Sequence, residues 1–566
     1  MAQTSAGLAH RTTVFVMPTI GNAAMASSQS RDGGSFDYVI IGGGTSGSLL
    51  ANRLSADPRR RVLLLEAGGD DDWLWFHIPI GYLFAIGNPR ADWCFKTEPV
   101  PGLDNRSIGY ARGKVLGGCT AINAMIYMRG QAEDYDTWRQ SGLTGWGWSD
   151  VLPYFKRHQD HFAGASEMHG AGGEWRVEKA RVRWALMDAV EAAGIELGIP
   201  PVADFNGGSN EGSGYFQVNQ RRGRRWSAAT GFLKPVLTRP NLALRTGVHV
   251  EKVALDGRRA SGVIYRRDGE RFLATAQAEV ILAAGAIGSP QILQLSGIGP
   301  PDLLRAHGIA VVHALDGVGE NLHDHLQLRL IYKVSGVPTV NAMQKSLWQK
   351  ARMGLEYALF RRGALTMAPS TYGLFTRSAR QHATPNAEFH IQPLSLDKFG
   401  DPLHDFPAFT ASICNLRPTS RGYVRIKSPD SMAAPAIQPN YLSTEADRQV
   451  AVDSIRLTRR LAATRALAKY RPEEFLPGPS VQSEAELRQA AGRIGSTIFH
   501  PVSTAKMGID SDPLAVLDGR LRVRGIDGLR VIDAAAMPRI TSGNTASPTL
   551  MIAEKGAAMV VEDARR

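Results

Sequence analysis

A short apolar run, Asp37-Tyr-Val-Ile-Ile41, ends abruptly in Gly42-Gly-Gly-Thr-Ser-Gly47. An uninterrupted apolar run of this kind marks a parallel strand buried on both faces. From Ser48 to Ser55 the spacing turns helical, through Leu49, Leu50, Arg53 and Leu54, and Asp57-Pro58 stops it. Arg61-Val-Leu-Leu-Leu-Glu66 is a second strand, which completes a βαβ unit of about 30 residues. The spacing Gly42-x-Gly44-x-x-Gly47 lets backbone approach a pyrophosphate at the helix N-terminus. Glu66 follows Gly44 by 22 residues, where a carboxylate accepts hydrogen bonds from an adenosine ribose and disfavours a 2′-phosphate. The unit reads as a dinucleotide site that argues against NADP and leaves NAD and FAD open.

Later segments extend the same domain. Ala278-Glu-Val-Ile-Leu-Ala-Ala-Gly285 is a strand ending on small residues, and Gly528-Leu-Arg-Val-Ile-Asp533 is another. A helix from Pro548 to Val561 closes the fold, with proline in its first turn, where a missing N–H costs nothing. Two insertions intervene. The second carries alternating runs, Ala387–Ile391, Ala408–Ile413 and Gly422–Lys427, which predict an antiparallel sheet with one covered face. The fold class is therefore α/β with an α+β second domain. A Rossmann-like cofactor domain is assembled from 36–152, 226–328 and 494–563. Residues 153–225 and 329–493 form a substrate domain whose antiparallel sheet is flanked by helices. Residues 1–35 read as a disordered extension, with order beginning at Phe36.

The chain has 566 residues, room for roughly two to four domains. Apolar residues at 43% and charged residues at 21% are ordinary globular usage, which excludes a disordered chain. The net charge of +12 favours anionic partners: phosphate-bearing cofactors, acidic lipid or nucleic acid. Cys94, Cys119 and Cys414 lie far apart without a C-x-x-C, so neither a disulfide framework nor a thiolate zinc cluster is expected. A reducing, cytoplasmic setting follows. Near the N-terminus, Ala24-Met-Ala26 looks like a cleavage site, but Pro18, Gly21 and Asn22 spoil the apolar run before it. A signal peptide is not expected, and Met17 or Met25 are candidate true starts.

Four further stretches occur in order. They are Arg112-Gly-Lys-Val-Leu-Gly-Gly-Cys-Thr-Ala-Ile-Asn-Ala-Met-Ile-Tyr127, Gly285-Ala-Ile-Gly-Ser-Pro-Gln-Ile-Leu-Gln-Leu-Ser-Gly-Ile-Gly299, His500-Pro-Val-Ser-Thr-Ala-Lys-Met-Gly508, and Asp533-Ala-Ala-Ala-Met-Pro with Asn544-Thr-Ala-Ser-Pro-Thr-Leu. Together they resemble the signatures of the glucose–methanol–choline (GMC) oxidoreductases, nearest to the bacterial choline and alcohol dehydrogenases. The resemblance runs from about Phe36 to Val561 and implies FAD. By position it assigns Gly42, Gly44, Ser46 and Gly47 to the pyrophosphate, Glu66 to the ribose and Val250 to an adenine contact. It places the Val115–Met125 loop, with Asn123 and Ala124, along the flavin ring, and Asp533 near the ribityl chain. Thr45, Ala67, Arg112, Gly118, Ala284, Ala534 and Thr545 complete the implied cofactor set. Some members attach FAD through a His just before the loop Asn. Ile122 stands there, which implies non-covalent binding. His500 and Asn544 match the family's catalytic pair: a neutral imidazole can take the hydroxyl proton near neutral pH, while flavin takes the hydride.

Other signals are read as decoys. Ser503-Thr-Ala-Lys506 fits S-x-x-K without its companion motifs. His323-Asp-His325 could suggest a metal, but no third ligand is evident, and no metal is expected. Arg221-Arg-Gly-Arg-Arg-Trp226 reads as a solvated loop before a helix at the active-site entrance, not a nucleic-acid patch. Cys119, Trp146 and Trp148 read as packing residues. Met367, Tyr372 and Phe375 are the expected substrate-pocket residues. With no carboxylate among them, neutral primary alcohols are favoured over a quaternary ammonium. The implied acceptor is a quinone, with peripheral attachment to the anionic inner face of the cell membrane. An oxygen-using alcohol oxidase, or a flavin-fold lyase or photodecarboxylase, is the alternative.

Overall fold

The computed structural model describes residues 30–398 and 400–565, so the readings of residues 1–29 lie outside the described residues. The first sheet runs in the order His249–Asp256, Arg259–Arg267, Glu270–Leu282, Arg31–Ile41, Val62–Leu65, Leu242–Arg245. Leu529–Val531 pairs in parallel with the end of Glu270–Leu282. The first strand begins at Arg31, ahead of Phe36, because Arg31 and Asp32 already pair with Phe272 and Leu273. Val39, Ile40 and Val62 to Leu64 are fully buried, as the unbroken apolar runs require. The helix Thr45–Leu54 buries Leu49, Leu50, Ala51 and Leu54, and packs against the last helix, Ala546–Asp563. A Cβ on Gly47 would lie 1.8 Å from the carbonyl of Gly42, so glycine is what lets this helix sit on the loop before it.

The second sheet is antiparallel, in the order Glu473–Leu476, Leu326–Lys333, Ala408–Asn415, Ala387–Gln392, Tyr372–Thr376, Gly212–Tyr215. Gly495–Thr497 pairs with the start of Leu326–Lys333. A domain boundary at 328/329 thus falls inside a strand. The expectation of one covered face is corrected, since Ala387–Gln392 is buried at every residue. One face, with Leu328, Leu330, Phe389, Ile391, Phe409 and Ile413, joins an apolar core shared with helix Glu445–Ala462. The other face is polar, with Gln327, Glu388, His390, Gln392 and Ser412. It is covered because it faces the interior cavity and the first domain. The run at 422–427 also departs from expectation: Tyr423–Arg425 forms a separate two-stranded ladder with Ala436–Gln438.

One ion cluster ties the glycine-loop helix to the end of the chain. Arg53 donates to both oxygens of Glu554 at 2.9 and 3.0 Å, and to Glu174 at 2.6 and 2.9 Å. Burial pushes the Glu554 carboxyl up, but Arg53 and His158 outweigh it and hold it at about 2. Glu554→Ala would remove one of the two carboxylates that Arg53 bridges and leave it paired with Glu174 alone. The expected loss is about 1.5–3 kcal/mol of stability, the scale of a charged hydrogen bond, read as a lower urea midpoint, whereas Arg59→Ala in the exposed pair with Asp57 should leave the midpoint unchanged.

Candidate active site

The parallel strands of the first sheet end at Ile41, Leu65, Leu282 and Val531, and Gly42, Glu66, Ala284 and Asp533 stand just beyond those ends. This is where open α/β sheets bind ligands. All four line one continuous cavity of about 500 Å³ that reaches from the first sheet to the second. Gly42 has φ +102°, and a Cβ there would meet the carbonyl of Ala283 at 2.5 Å, so glycine is required at the turn. Glu66 accepts from the N–H groups of Gly43 and Gly68, both at 2.7 Å. Burial still pushes its carboxyl up to about 7. Asp533 accepts from Gly285 N at 2.8 Å, Ser289 Oγ at 2.6 Å and Ala535 N at 2.7 Å. Burial raises its pKa. Helix Thr45–Leu54 opens with no side-chain cap, and buried Ser46 Oγ has no hydrogen-bond partner among the described residues. The helix N-terminus is therefore left for an anion.

The loop of residues 112–127 forms the cavity's middle wall. Asn123 Oδ1 accepts from Met125 N at 2.9 Å, and Met125 takes the left-handed φ of +60°. The loop is clamped by Arg225. Its guanidinium donates to Asn123 O at 2.7 Å, Asn123 Oδ1 at 3.0 Å, Thr120 O at 3.3 Å and Pro79 O at 3.4 Å. Burial pulls Arg225 down to about 9. The arginine run is thus not only a solvated loop: Gln220–Arg221 and Arg224–Arg225 pair as a hairpin that sends one guanidinium inward.

His500 and Asn544 come together at the other end of the cavity, with His500 Nε2 3.1 Å from Asn544 Nδ2. His500 Nδ1 lies 3.1 Å from Nδ1 of His325, whose Nε2 is 3.2 Å from the carbonyl of Leu416. A carbonyl only accepts, so His325 Nε2 carries the proton. Its Nδ1 then accepts from His500 Nδ1–H, and the free lone pair of His500 falls on Nε2 beside Asn544. Burial, followed by the nearby His325, His390 and Arg112, holds His500 well below its usual range, so it is neutral at pH 7. Asp324 fixes both histidines: it accepts from His500 N at 2.8 Å, His325 N at 2.9 Å, Tyr110 OH and Thr497 Oγ1 at 2.7 Å each, and Tyr441 OH. Arg112 holds the carbonyl of Phe499 at 2.6 Å, next to His500, where the backbone takes φ +66°.

Of the residues the sequence assigns, Gly44, Thr45, Ser46, Ala67, Arg112, Gly118, Asn123, Ala124, Met125, Val250, Ala534 and Thr545 also line the cavity. Gly47 and Val115 do not. Gly47 packs the helix on Gly42, and Val115 sits in a small apolar cluster with Phe76 and Ile122. Met367, Tyr372 and Phe375 do not line the cavity either. Met367 and Tyr372 belong to the apolar core on the helix side of the second sheet, where Tyr372 OH donates to Glu191 at 3.1 Å. Phe375 packs on Phe205 with ring centroids 4.9 Å apart. The same stretch reaches the cavity one loop earlier, at Pro369 and Ser370, joined by Gln327, His390 and Gln392 from the sheet. His323 and His325 bond different carbonyls, Pro418 and Leu416, so the pair serves two loops. Asp324, His325, His390 and Arg225, to which sequence reasoning assigned no role in the site, are brought to it by the fold: Asp324 and His325 bond His500, His390 lines the cavity and Arg225 holds Asn123.

A family model described as GMC oxidoreductase matches residues 36–327, and its C-terminal counterpart matches residues 418–553. An alcohol dehydrogenase (acceptor) from Pseudomonas putida is 40% identical over 531 residues, 93% of this chain and 96% of that protein. The mitochondrial choline dehydrogenase of Homo sapiens is 40% identical over 550 residues, 96% of this chain and 92% of that protein. A solved FAD-dependent oxidoreductase from Chaetomium thermophilum superposes with a TM-score of 0.86 at 26% identity, covering 94% of this chain and all of that one.

FAD is the cofactor of this cavity, and the residues present fit it. The uncapped helix with orphaned Ser46 Oγ suits a pyrophosphate, Glu66 a ribose, and the clamped 112–127 loop a flat ring. Arg225→Ala would free Asn123 and strand three buried carbonyls. The purified variant is expected to hold at most half the wild-type flavin, measured as the ratio of absorbance near 450 and 280 nm, with Arg225→Lys recovering only part of it.

Proposed function

We propose that this chain, which belongs to the GMC oxidoreductases, oxidises neutral primary alcohols to aldehydes with His500 as general base, and passes the electrons to a quinone-type carrier. The chain is an FAD-dependent oxidoreductase acting on CH–OH donors. The observation that carries the finer reading is the directed chain Leu416 O, His325, His500, Asn544, which leaves one unprotonated ring nitrogen facing the cavity. FAD, when bound, accepts the hydride from the substrate carbon. Inserted between His500 Nε2 and Asn544 Nδ2, an alcohol oxygen gives its proton to the imidazole and accepts a hydrogen bond from the amide. His325 then receives the Nδ1–H of the imidazolium and holds the ring in place. Asn544 stabilises the developing alkoxide without adding a charge. Non-covalent binding of FAD is supported by Ile122 in the linkage position. Acid precipitation should leave all yellow colour in the supernatant.

A neutral substrate is supported by the cavity wall on the second-sheet side, where Gln327, Ser370, His390 and Gln392 supply polar groups and no carboxylate. Glu388 is fully buried and turned toward His390 at 3.1 Å and Cys414 Sγ at 3.8 Å. The acceptor reading is supported by the relative whose name specifies an acceptor and by the net charge of +12, which suits peripheral attachment at an anionic membrane face. Among the described residues no helix is long and apolar enough to cross a membrane. The domain roles are part of the same reading: 36–152, 226–328 and 494–563 hold FAD, while 153–225 and 329–493 close over the substrate, with the whole strand Leu326–Lys333 and its partner Gly495–Thr497 belonging to the substrate side.

Anaerobic stopped-flow with a panel of alcohols tests the chemistry. Flavin should bleach with stoichiometric aldehyde, and His500→Ala should slow bleaching by at least ~10²-fold with FAD still bound. A rate near wild type sinks the base assignment, and product with flavin left oxidised sinks the oxidation in favour of a lyase. Since His500 is neutral down to well below its usual pKa, bleaching should be flat above about pH 6.5 and fall only in acid. His325→Phe should slow bleaching with FAD still bound, because the imidazolium of His500 loses the acceptor that holds its Nδ1–H. Peroxide formed in air as fast as product forms with a soluble quinone would make the enzyme an oxidase.

A further inference from the structure

Helix Leu347–Phe360 lies on the outside of the second insertion, and Tyr357 is its one fully buried residue. At ~100° per residue, Met353, Glu356 and Tyr357 share its inward side. Leu347, Trp348, Ala351, Leu355, Ala358 and Leu359 fall on the opposite side, within an arc of about 120° by the same spacing. The large ones are open to solvent: Leu347 at 82%, Trp348 at 76%, Leu355 at 61% and Leu359 at 63%. The inward side already anchors the helix, so this second apolar face serves no packing inside the fold.

Charge frames the face. Arg352 borders the arc on one side, Lys350 falls some ~60° beyond its other edge by the same spacing, and Lys345, Arg361 and Arg362 stand at its ends, all exposed. The helix's one acid, Glu356, is on the inward side and pairs with Arg362 at 3.3 Å. Beside the C-terminal end lies the hairpin with exposed Arg221, Arg222 and Arg224, joined to the helix by Tyr357 OH donating to Gly223 O at 3.2 Å. The turn Ala364–Thr366 packs on this helix, and the chain enters the cavity wall just after it, at Pro369 and Ser370.

We infer that helix Leu347–Phe360 is the docking surface for an anionic lipid bilayer. Its apolar arc enters the acyl boundary while Arg352 at the arc's edge and Lys345, Arg361 and Arg362 at its ends meet headgroup phosphates. This rests on the membrane reading above for its physiological acceptor, and on the helix alone for the binding itself. A second copy of the chain is a poorer occupant, because a two-fold contact would set the same cationic cluster against itself. Seated this way, the wall of the cavity lies beside the membrane, where a lipid-soluble acceptor is found.

The holoenzyme is sedimented with vesicles of phosphatidylcholine alone or with phosphatidylglycerol, at low (~10 mM) and high (~500 mM) salt. Wild type should pellet with the anionic vesicles at low salt. Trp348→Glu/Leu355→Glu should bind at least ~10-fold less, with flavin bleaching by alcohol unchanged. Lys345→Glu/Arg352→Glu should lose the preference for anionic lipid. Wild type left in the supernatant, or the apolar double variant pelleting like wild type, overturns the inference. So does a wild-type dimer, seen by light scattering, that the double variant dissociates without any vesicle binding. Intact alcohol-driven bleaching in that event leaves the proposed activity standing and removes only the docking surface.

Discussion

Five hydrogen bonds end on one buried carboxylate, Asp324. They come from Tyr110, ahead of the 112–127 loop, from Tyr441 in the second insertion, from the Thr497–His500 segment, and from the backbone of His325. Segments far apart in sequence thus meet at one point. A buried carboxylate is costly unless its lone pairs are satisfied, so the site is stable only when all the donors arrive together. That requirement sets the 3.1 Å spacing between the two histidines, and through it the orientation of the nitrogen that faces the cavity.

The same burial that demands those partners also sets the chemistry. Removal from water disfavours the charged imidazole, so His500 is held in its neutral form. Asn544 adds a donor without a charge, which would otherwise depress the base further. On the far side, the strand ends of the first sheet supply backbone N–H groups, not cationic side chains, to the pyrophosphate region. The cavity is therefore neutral and directional at its reacting end, and it draws anions to the other end by geometry.

Much of this was legible in the chain. The unbroken apolar runs and the glycine spacing identified the parallel strands and the pyrophosphate turn, because those features depend only on local period and backbone reach. His500 and Asn544 were legible through motif resemblance. Arg225 was not: in sequence it is one more arginine of a basic run, and only the pairing of 220–221 with 224–225 turns it inward. His325 was noticed and set aside, because the contact with His500 comes from Leu326 pairing with Thr497, a match between segments some 170 residues apart that no periodicity reveals. The substrate-side wall was misplaced for a related reason. Tyr372 and Phe375 occur in an apolar strand, but Tyr372 falls on the face packed against the helices, and Phe375, on the other face, is covered by Phe205 and Phe216 before it can reach the cavity.

In the second sheet, Phe389 and Ile391 belong to the core while His390 and Gln392, their immediate neighbours, line the cavity. A strand period of two keeps the two sets apart across one backbone. Selection on either set is therefore nearly independent of the other. A change of preferred alcohol can be written into the even-numbered positions of a single strand without disturbing the packing that holds it. Specificity in such a chain can drift quickly while the scaffold stays put, and overall identity between two relatives is then a weak guide to whether they share a substrate.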